Sequence, residues 1–228
     1  MRIIFVRHGH PDYRTDTLTE LGHKQAEAAA TRLQDENIDH IFSSSCGRAR
    51  QTAEHIASPR GMEVELLDFM REISWGSING DEIYMNGHPW RTVEKMVSEN
   101  QSLLSAEWRT EDAFCNNKVK LHADKVAENL DAWLATLGFV REGDYYRVGK
   151  PKYDTILLAS HGGSSSAALA HLFNLPFPYL CYTVCPNFTA ITIVTLHGEE
   201  GSLISPRFEL MNDATHIRGI TTENVFDK

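Results

Sequence analysis

The chain is short of positive charge, of long apolar runs and of paired cysteines. Its 22 Lys and Arg stand against 31 Asp and Glu, a formal net charge of -9 over 228 residues. That balance argues against nonspecific binding to nucleic acid or to an anionic membrane surface. No apolar run approaches the roughly 20 residues needed to span a bilayer. The N-terminus enters a strand-like run with no basic-then-apolar leader, so a cytoplasmic location is expected. Cys46, Cys115, Cys181 and Cys185 form no CxxC pair and no zinc-finger spacing. They are expected to be buried free thiols, with Cys46 oxidisable if its loop is open. Internal repeats, low-complexity tracts and linker-like segments are missing as well. With 42% hydrophobic and 23% charged residues, what remains is an ordinary globular chain, expected as a single domain over 1–228. An acidic protein that handles anions must gather its few basic groups in one place.

One such place stands near the start. Ile3-Ile4-Phe5-Val6 reads as an interior strand of a parallel sheet, and Arg7-His8-Gly9 follows directly. In open α/β sheets the ligand crevice lies beyond the C-terminal ends of the strands. The pattern recurs downstream. Thr19 reads as the N-cap of an Ala-rich helix to about residue 36. Residues 39–43 form a second strand, and the small-residue loop after it carries Arg48 into a helix ending near Ala57. Residues 64–67 form a third strand leading to Arg71-Glu72. Residues 155–160 are the clearest later strand, with His161-Gly162-Gly163 at its end and a helix over about 164–173 behind it.

From about 76 to 153 the strand–helix rhythm breaks, which predicts a mostly helical insertion. Pro89 fits the first position of one helix. A longer helix starts near Asn117, with Val126, Leu130, Trp133, Leu134 and Leu137 on one face and Gly138 at its stop. Residues 142–146 read as a tight turn and short strand. Strands over 190–196 and 203–210 suit a hairpin, which places the last strand antiparallel at an edge. The expected fold is a three-layer α/β/α arrangement: a mainly parallel sheet, one antiparallel edge strand and the insertion over the active site.

Two strands thus end in histidine, His8 and His161, and Arg7, Arg48 and Glu72 join them from the same side. This is an inventory for phosphoryl transfer through a phosphohistidine. A neutral imidazole attacks phosphorus, guanidinium groups hold the equatorial oxygens, and a carboxylic acid protonates the leaving alcohol. Arginine suits the task because its planar fork matches phosphate and never loses its charge. Positive neighbours also lower the pKa of His8 and keep it nucleophilic, provided a hydrogen bond, expected from a backbone carbonyl, fixes the tautomer.

In order and spacing, these residues resemble the histidine phosphatase superfamily, in its phosphoglycerate mutase-like branch. The resemblance covers nearly the whole chain. It rests on Arg7-His8-Gly9, Leu18-Thr19 with Gly22 and Gln25-Ala26, Ser43-Ser44 with Arg48-Ala49 and Gln51-Thr52-Ala53, Arg71-Glu72 with Gly76, and Ser160-His161-Gly162. It implies His8 as nucleophile, Arg7, Arg48 and His161 as phosphate pocket, Glu72 as general acid and Gly162 as a backbone N–H donor. His161 followed by Gly162 rather than Asp favours Glu72 as the donor. Two positions depart from the family pattern. His10 stands where Glu or Gln is frequent. Arg14 stands where an Asn phosphate contact is frequent, so it either replaces that contact or faces solvent. The resemblance calls for no metal and no cofactor, and for a small phosphorylated metabolite as partner.

Rival readings remain open. His8-Gly9-His10-Pro11-Asp12 is also an HxHxD metal-ligand pattern, although Tyr13 stands where the next His would be. A non-catalytic phosphate-binding module would keep the same pocket. Phosphoglycerate mutase-type transfer is a third alternative, disfavoured by an insertion unlike that of the glycolytic mutases. Trp75, Trp90, Trp108 and Tyr84 are candidates for a substrate cleft or for core. Arg71 either touches substrate or forms an ion pair. His216, within the 212–217 segment, is read as structural, and His23, His55, His122 and His171 as ordinary helix residues.

Overall fold

The N-terminal run forms β1 (Arg2–Arg7) in the computed structural model, which describes residues 1–220. Ile3 and Phe5 point to one side, Ile4 and Val6 to the other. All four are buried, so both faces need cover. The chain continues with a ribbon of β2 (Pro11–Asp12) and β3 (Thr17–Leu18), then α1 (Glu20–Arg32), β4 (His40–Ser44), α2 (Gly47–Ala57) and β5 (Val64–Leu67). The insertion holds α3 (Pro89–Ser98), α4 (Lys118–Thr136) and a hairpin of β6 (Phe139–Glu142) and β7 (Tyr145–Val148). Next come β8 (Thr155–Ser160), α5 (Gly162–Leu172), α6 (Phe177–Val184), β9 (Ile191–Thr195), β10 (Leu203–Ile204) and β11 (Arg207–Asp213). Local signals set the helix ends. Thr19 Oγ1 accepts from Gly22 N at 3.1 Å, Asn117 Oδ1 accepts from Val119 N at 3.1 Å, and Gly138 follows α4 at φ +96°.

The main sheet has six strands in the order β11-β9-β1-β8-β4-β5. β1, β8, β4 and β5 are parallel, while β9 pairs antiparallel with both β1 and β11. The last strand does lie at the edge, antiparallel to its neighbour. The strand that opposes the others is nevertheless β9, one position inside. Residues 203–210 also divide, because β10 joins the β6–β7 hairpin and only β11 pairs with β9. Helices α1 and α2 lie on the face of Ile4 and Val6, through Ala53, Ile56 and Ala57 of α2 and Leu33 just after α1. Helices α4 and α5 lie on the face of Ile3 and Phe5, through Leu130, Trp133 and Ala168. Trp133 meets Phe42 of β4 edge-on at 5.1 Å, which docks the insertion's long helix on the sheet. Trp108 is core rather than cleft, packed on Phe114 and Phe177. Among the described residues no helix is long and apolar enough to cross a membrane.

This topology places the site. The chain leaves β1 over one face and β8 over the other, so a crevice opens where these neighbours end. It is kept narrow by a backbone contact. A Cβ on Gly22 would lie 2.2 Å from the His10 carbonyl oxygen, and one on Gly9 would lie 2.6 Å from the Gly22 oxygen. Gly22→Ala should therefore cost about 1–3 kcal/mol, the usual cost of forcing atoms into packed space. It should lower the urea midpoint at unchanged m-value, and an unchanged midpoint would show that the two segments separate freely.

Candidate active site

Register brings the two histidines together. Arg7 pairs with Ser160 across β1 and β8, so the next residues on each strand, His8 and His161, leave the sheet side by side. Adjacent strands lie about 4.8 Å apart, and the imidazole centroids are 5.1 Å apart with the rings tilted by 60°. Both rings are buried. His8 Nδ1 lies 2.7 Å from the Gly9 carbonyl oxygen. A carbonyl only accepts, so Nδ1 carries the proton and Nε2 keeps its lone pair. His161 Nε2 lies 2.8 Å from Ser44 Oγ, which itself accepts from Cys46 N at 3.2 Å. A Ser44 hydroxyl that donates to Nε2 leaves the His161 proton on Nδ1.

Burial and then the Arg7 guanidinium hold His8 well below the ordinary imidazole value; Arg48 adds to this. Burial, His8 and both arginines do the same to His161. The arginines are fixed by groups outside the sequence motifs. Arg7 Nη1 donates to the Pro186 carbonyl oxygen at 2.5 Å, and its guanidinium lies 4.3 Å from the Phe188 ring centroid. Arg48 pairs with Asp16, whose second oxygen accepts from Gly47 N at 2.8 Å, at the start of α2. Asp16 adopts φ +54°, which turns its carboxylate inward. Arg14 is not part of this cluster. Its backbone N–H donates to Asp12 Oδ1 at 2.9 Å, and its side chain is 86% exposed, 3.9 Å from the same carboxylate. Of the two places left open for Arg14, phosphate contact or solvent, the structure shows it in solvent. The HxHxD run disperses too: His10 Nδ1 shares a hydrogen bond with Thr19 Oγ1 while Asp12 engages Arg14. Among the described residues, no three such side chains converge as a metal site.

Glu72 lies at the N-terminus of α5, which begins with Gly162. Its Oε1 accepts from Ser164 N and Ile73 N, each at 3.0 Å. Gly163 is the condition for this approach, since a Cβ there would lie 2.6 Å from Glu72 Oε1. Burial raises the Glu72 pKa, and Arg7 with the N–H bonds only partly offsets it. Gly162 is the first residue of α5, so its N–H has no intrahelical partner. Arg71 turns outward to Ser45. Arg7, Arg48 and Glu72 open into a cavity of about 710 Å³, walled by Trp75, His88 and Trp90 of the insertion. Tyr84 is away from it, against Lys95.

Sequence reasoning missed the segment that holds the β1 end. Thr189 N donates to the His8 carbonyl oxygen at 3.3 Å, and Arg7 N to the Ala190 oxygen at 3.2 Å. Asn212 Oδ1 accepts from Asn187 N at 3.0 Å, and its Nδ2 donates to the Val184 oxygen at 3.0 Å. His216 Nε2 meets Thr189 Oγ1 at 3.0 Å. The 212–217 segment is structural, as expected, but what it braces is the backbone of His8. Nothing in its spacing linked it to Arg7. Asp16 lay in a polar loop without a signal of its own.

The buried imidazoles give acid sensitivity a definite sign. Both have native pKa values below the ordinary 6.5, so below that pH the unfolded chain binds the extra protons. Their contribution is fully present above about pH 6.5 and is lost as pH falls. Urea midpoints should drop between pH 7 and pH 5, and drop less in His161→Gln. A midpoint that rises on acidification would mean the pair is charged in the native state.

Residues 3–208 match the family model of the histidine phosphatase superfamily (branch 1). A relative named "Probable phosphoglycerate mutase GpmB", from Photorhabdus laumondii, is 34% identical over 103 residues, 40% of this chain and 48% of its own. The chain thus spans about half the length of that relative. Among solved structures, a mycobacterial glucosyl-3-phosphoglycerate phosphatase superposes with a TM-score of 0.63 at 22% identity, covering 92% of this chain and 98% of that one. The alpha-ribazole phosphatase of Shigella flexneri gives 0.62 at 21%, covering 94% and 97%. At such identities the likeness shows a shared three-layer fold. The match over 3–208 reaches from β1 into β11, and on it the chain belongs to the histidine phosphatase superfamily.

Proposed function

We propose that the protein hydrolyses a small phosphate monoester through a phosphoryl group carried on His8 Nε2. One observation carries this reading. Arg7 Nε, Arg48 Nε and His161 Nδ1 are buried without a hydrogen-bond partner among the described residues. They surround an imidazole whose Nε2 lone pair is free. Each orphaned donor costs about 1–3 kcal/mol, and one phosphoryl group could satisfy all three.

His8 Nε2 attacks phosphorus in line with the ester oxygen, so the P–N bond forms as the P–O bond breaks. The arginines and His161 Nδ1–H hold the equatorial oxygens, where charge spreads. Glu72, kept protonated more readily by burial, gives its proton to the leaving alkoxide. Water then attacks phosphohistidine and passes a proton to the Glu72 carboxylate, the P–N bond breaks, and phosphate leaves. Arginine supplies the electrophile throughout, so no step calls for a metal. Transfer to a second acceptor instead of water would be mutase chemistry, which the name of the Photorhabdus relative favours. Free phosphate in excess over any phosphoglycerate interconversion supports hydrolysis; fast interconversion with little free phosphate overturns it.

Quench with labelled substrate should trap an acid-labile, alkali-stable phosphoryl group on His8, and His8→Ala should abolish turnover. Label on His161 would reverse the assignment, and no label under trapping conditions would remove the intermediate. Glu72→Gln should lose about 10²–10⁴-fold in kcat with alkyl esters, the usual size of general-acid assistance. The loss should be far smaller with nitrophenyl phosphate, whose leaving group needs no proton. Equal losses on both would take Glu72 out of the acid role.

A further inference from the structure

We propose that the substrate's alcohol carries a flat aromatic group and no carboxylate, and that this group lies against Trp75 and Trp90. The inference rests on the phosphomonoester reading above and concerns the half of the site beyond the phosphate. Its first support is the wall the insertion builds. Trp75 meets His88 at 4.9 Å and His88 meets Trp90 at 5.7 Å, a continuous run of rings facing the cavity. The run begins at the phosphate pocket itself. A Cβ on Gly162 would lie 3.1 Å from the Trp90 ring, so the indole rests on the first turn of α5. Trp75 and Trp90 pack against the core on one side and keep part of their surface exposed on the other. An ester whose phosphate reaches Arg7 and Arg48 therefore leads its alcohol along aromatic faces, and offset or edge-on ring contacts favour another ring there.

The second support is the charge inventory. Among the described residues lining the cavity, the guanidiniums are Arg7, Arg48 and Arg91. Arg7 and Arg48 belong to the phosphate. Arg91 donates to Glu94 at 2.8 Å on its own helix. His88 is held toward the neutral form by burial and then by Arg91. A carboxylate on the alcohol would thus meet Glu94, with Arg91 already paired to it and Arg7 and Arg48 engaged by the phosphate. A neutral ring meets no such opposition.

Paired phosphonates, which bind but do not turn over, test this directly. By calorimetry on the intact protein, 3-phenylpropylphosphonate should bind about tenfold or more tightly than 4-phosphonobutyrate, which has a carboxylate in place of the ring. Trp75→Ala should bring that ratio toward one. Equal binding, tighter binding of the carboxylate compound, or a ratio unmoved in Trp75→Ala overturns the proposal. Turnover separates the two levels of inference. Among esters with alkyl leaving groups, kcat/KM should be about tenfold higher for 2-phenylethyl phosphate than for 3-phosphoglycerate. The phosphonate preference without any phosphate release would refute the hydrolase reading and leave the aromatic subsite standing. Faster release from 3-phosphoglycerate would refute the subsite and leave the hydrolase.

Discussion

The site depends on two imidazoles kept neutral against two guanidiniums in a place with little water. In such surroundings like charges repel far more strongly than in solution, so His8 and His161 cannot both be protonated beside Arg7 and Arg48. The protein answers each cation separately. Asp16 takes Arg48, and the Pro186 carbonyl with the face of Phe188 takes Arg7. The Gly9 carbonyl then fixes the proton of His8 on Nδ1, and the Ser44 hydroxyl meets Nε2 of His161. What remains is one lone pair at His8 Nε2 among donors that face an anion.

The backbone makes this arrangement rigid. Neighbouring parallel strands in a fixed register set the spacing of the histidines, which no side-chain adjustment could match. Glycines allow the approaches around them: Gly9 with Gly22 behind His8, and Gly163 beneath the Glu72 carboxylate. Helix α5, built almost wholly of Gly, Ser and Ala in its first turns, lies close on the sheet and presents its N-terminus to Glu72. The carboxylate is thus oriented by amides while burial raises its pKa, a combination suited to an acid that must later accept a proton.

Chemistry and selectivity come from different parts of the chain. The ends of β1, β4 and β8 carry the chain into the cluster of His8, Arg48 and His161, and the insertion supplies the aromatic wall of the cavity. Because Trp90 rests on α5, the two parts meet at Gly162. The C-terminal segment lends Ile217 to the cavity wall. It holds the loop that in turn holds Arg7 and the His8 carbonyl.

The sequence by itself determined the strands, the main helices and the residues that meet at the phosphate. Each of these has a local cause: apolar runs for β1 and β8, Thr19 and Asn117 as caps, Pro89 and Gly138 as boundaries, and strand ends that point their last residues into one crevice. Only the tertiary structure decided which loop residue answers which charge. Arg14 and Asp16 lie two apart in one polar loop, and a left-handed turn at Asp16 sends one carboxylate inward while Arg14 stays in solvent. It also separated Trp75 and Trp90, on the cavity, from Trp108, in the core. Pattern along a chain reports periodicity and capping, which are local. Partners for a buried charge are chosen by proximity after folding, and those at Arg7 come from a loop that begins 179 residues away.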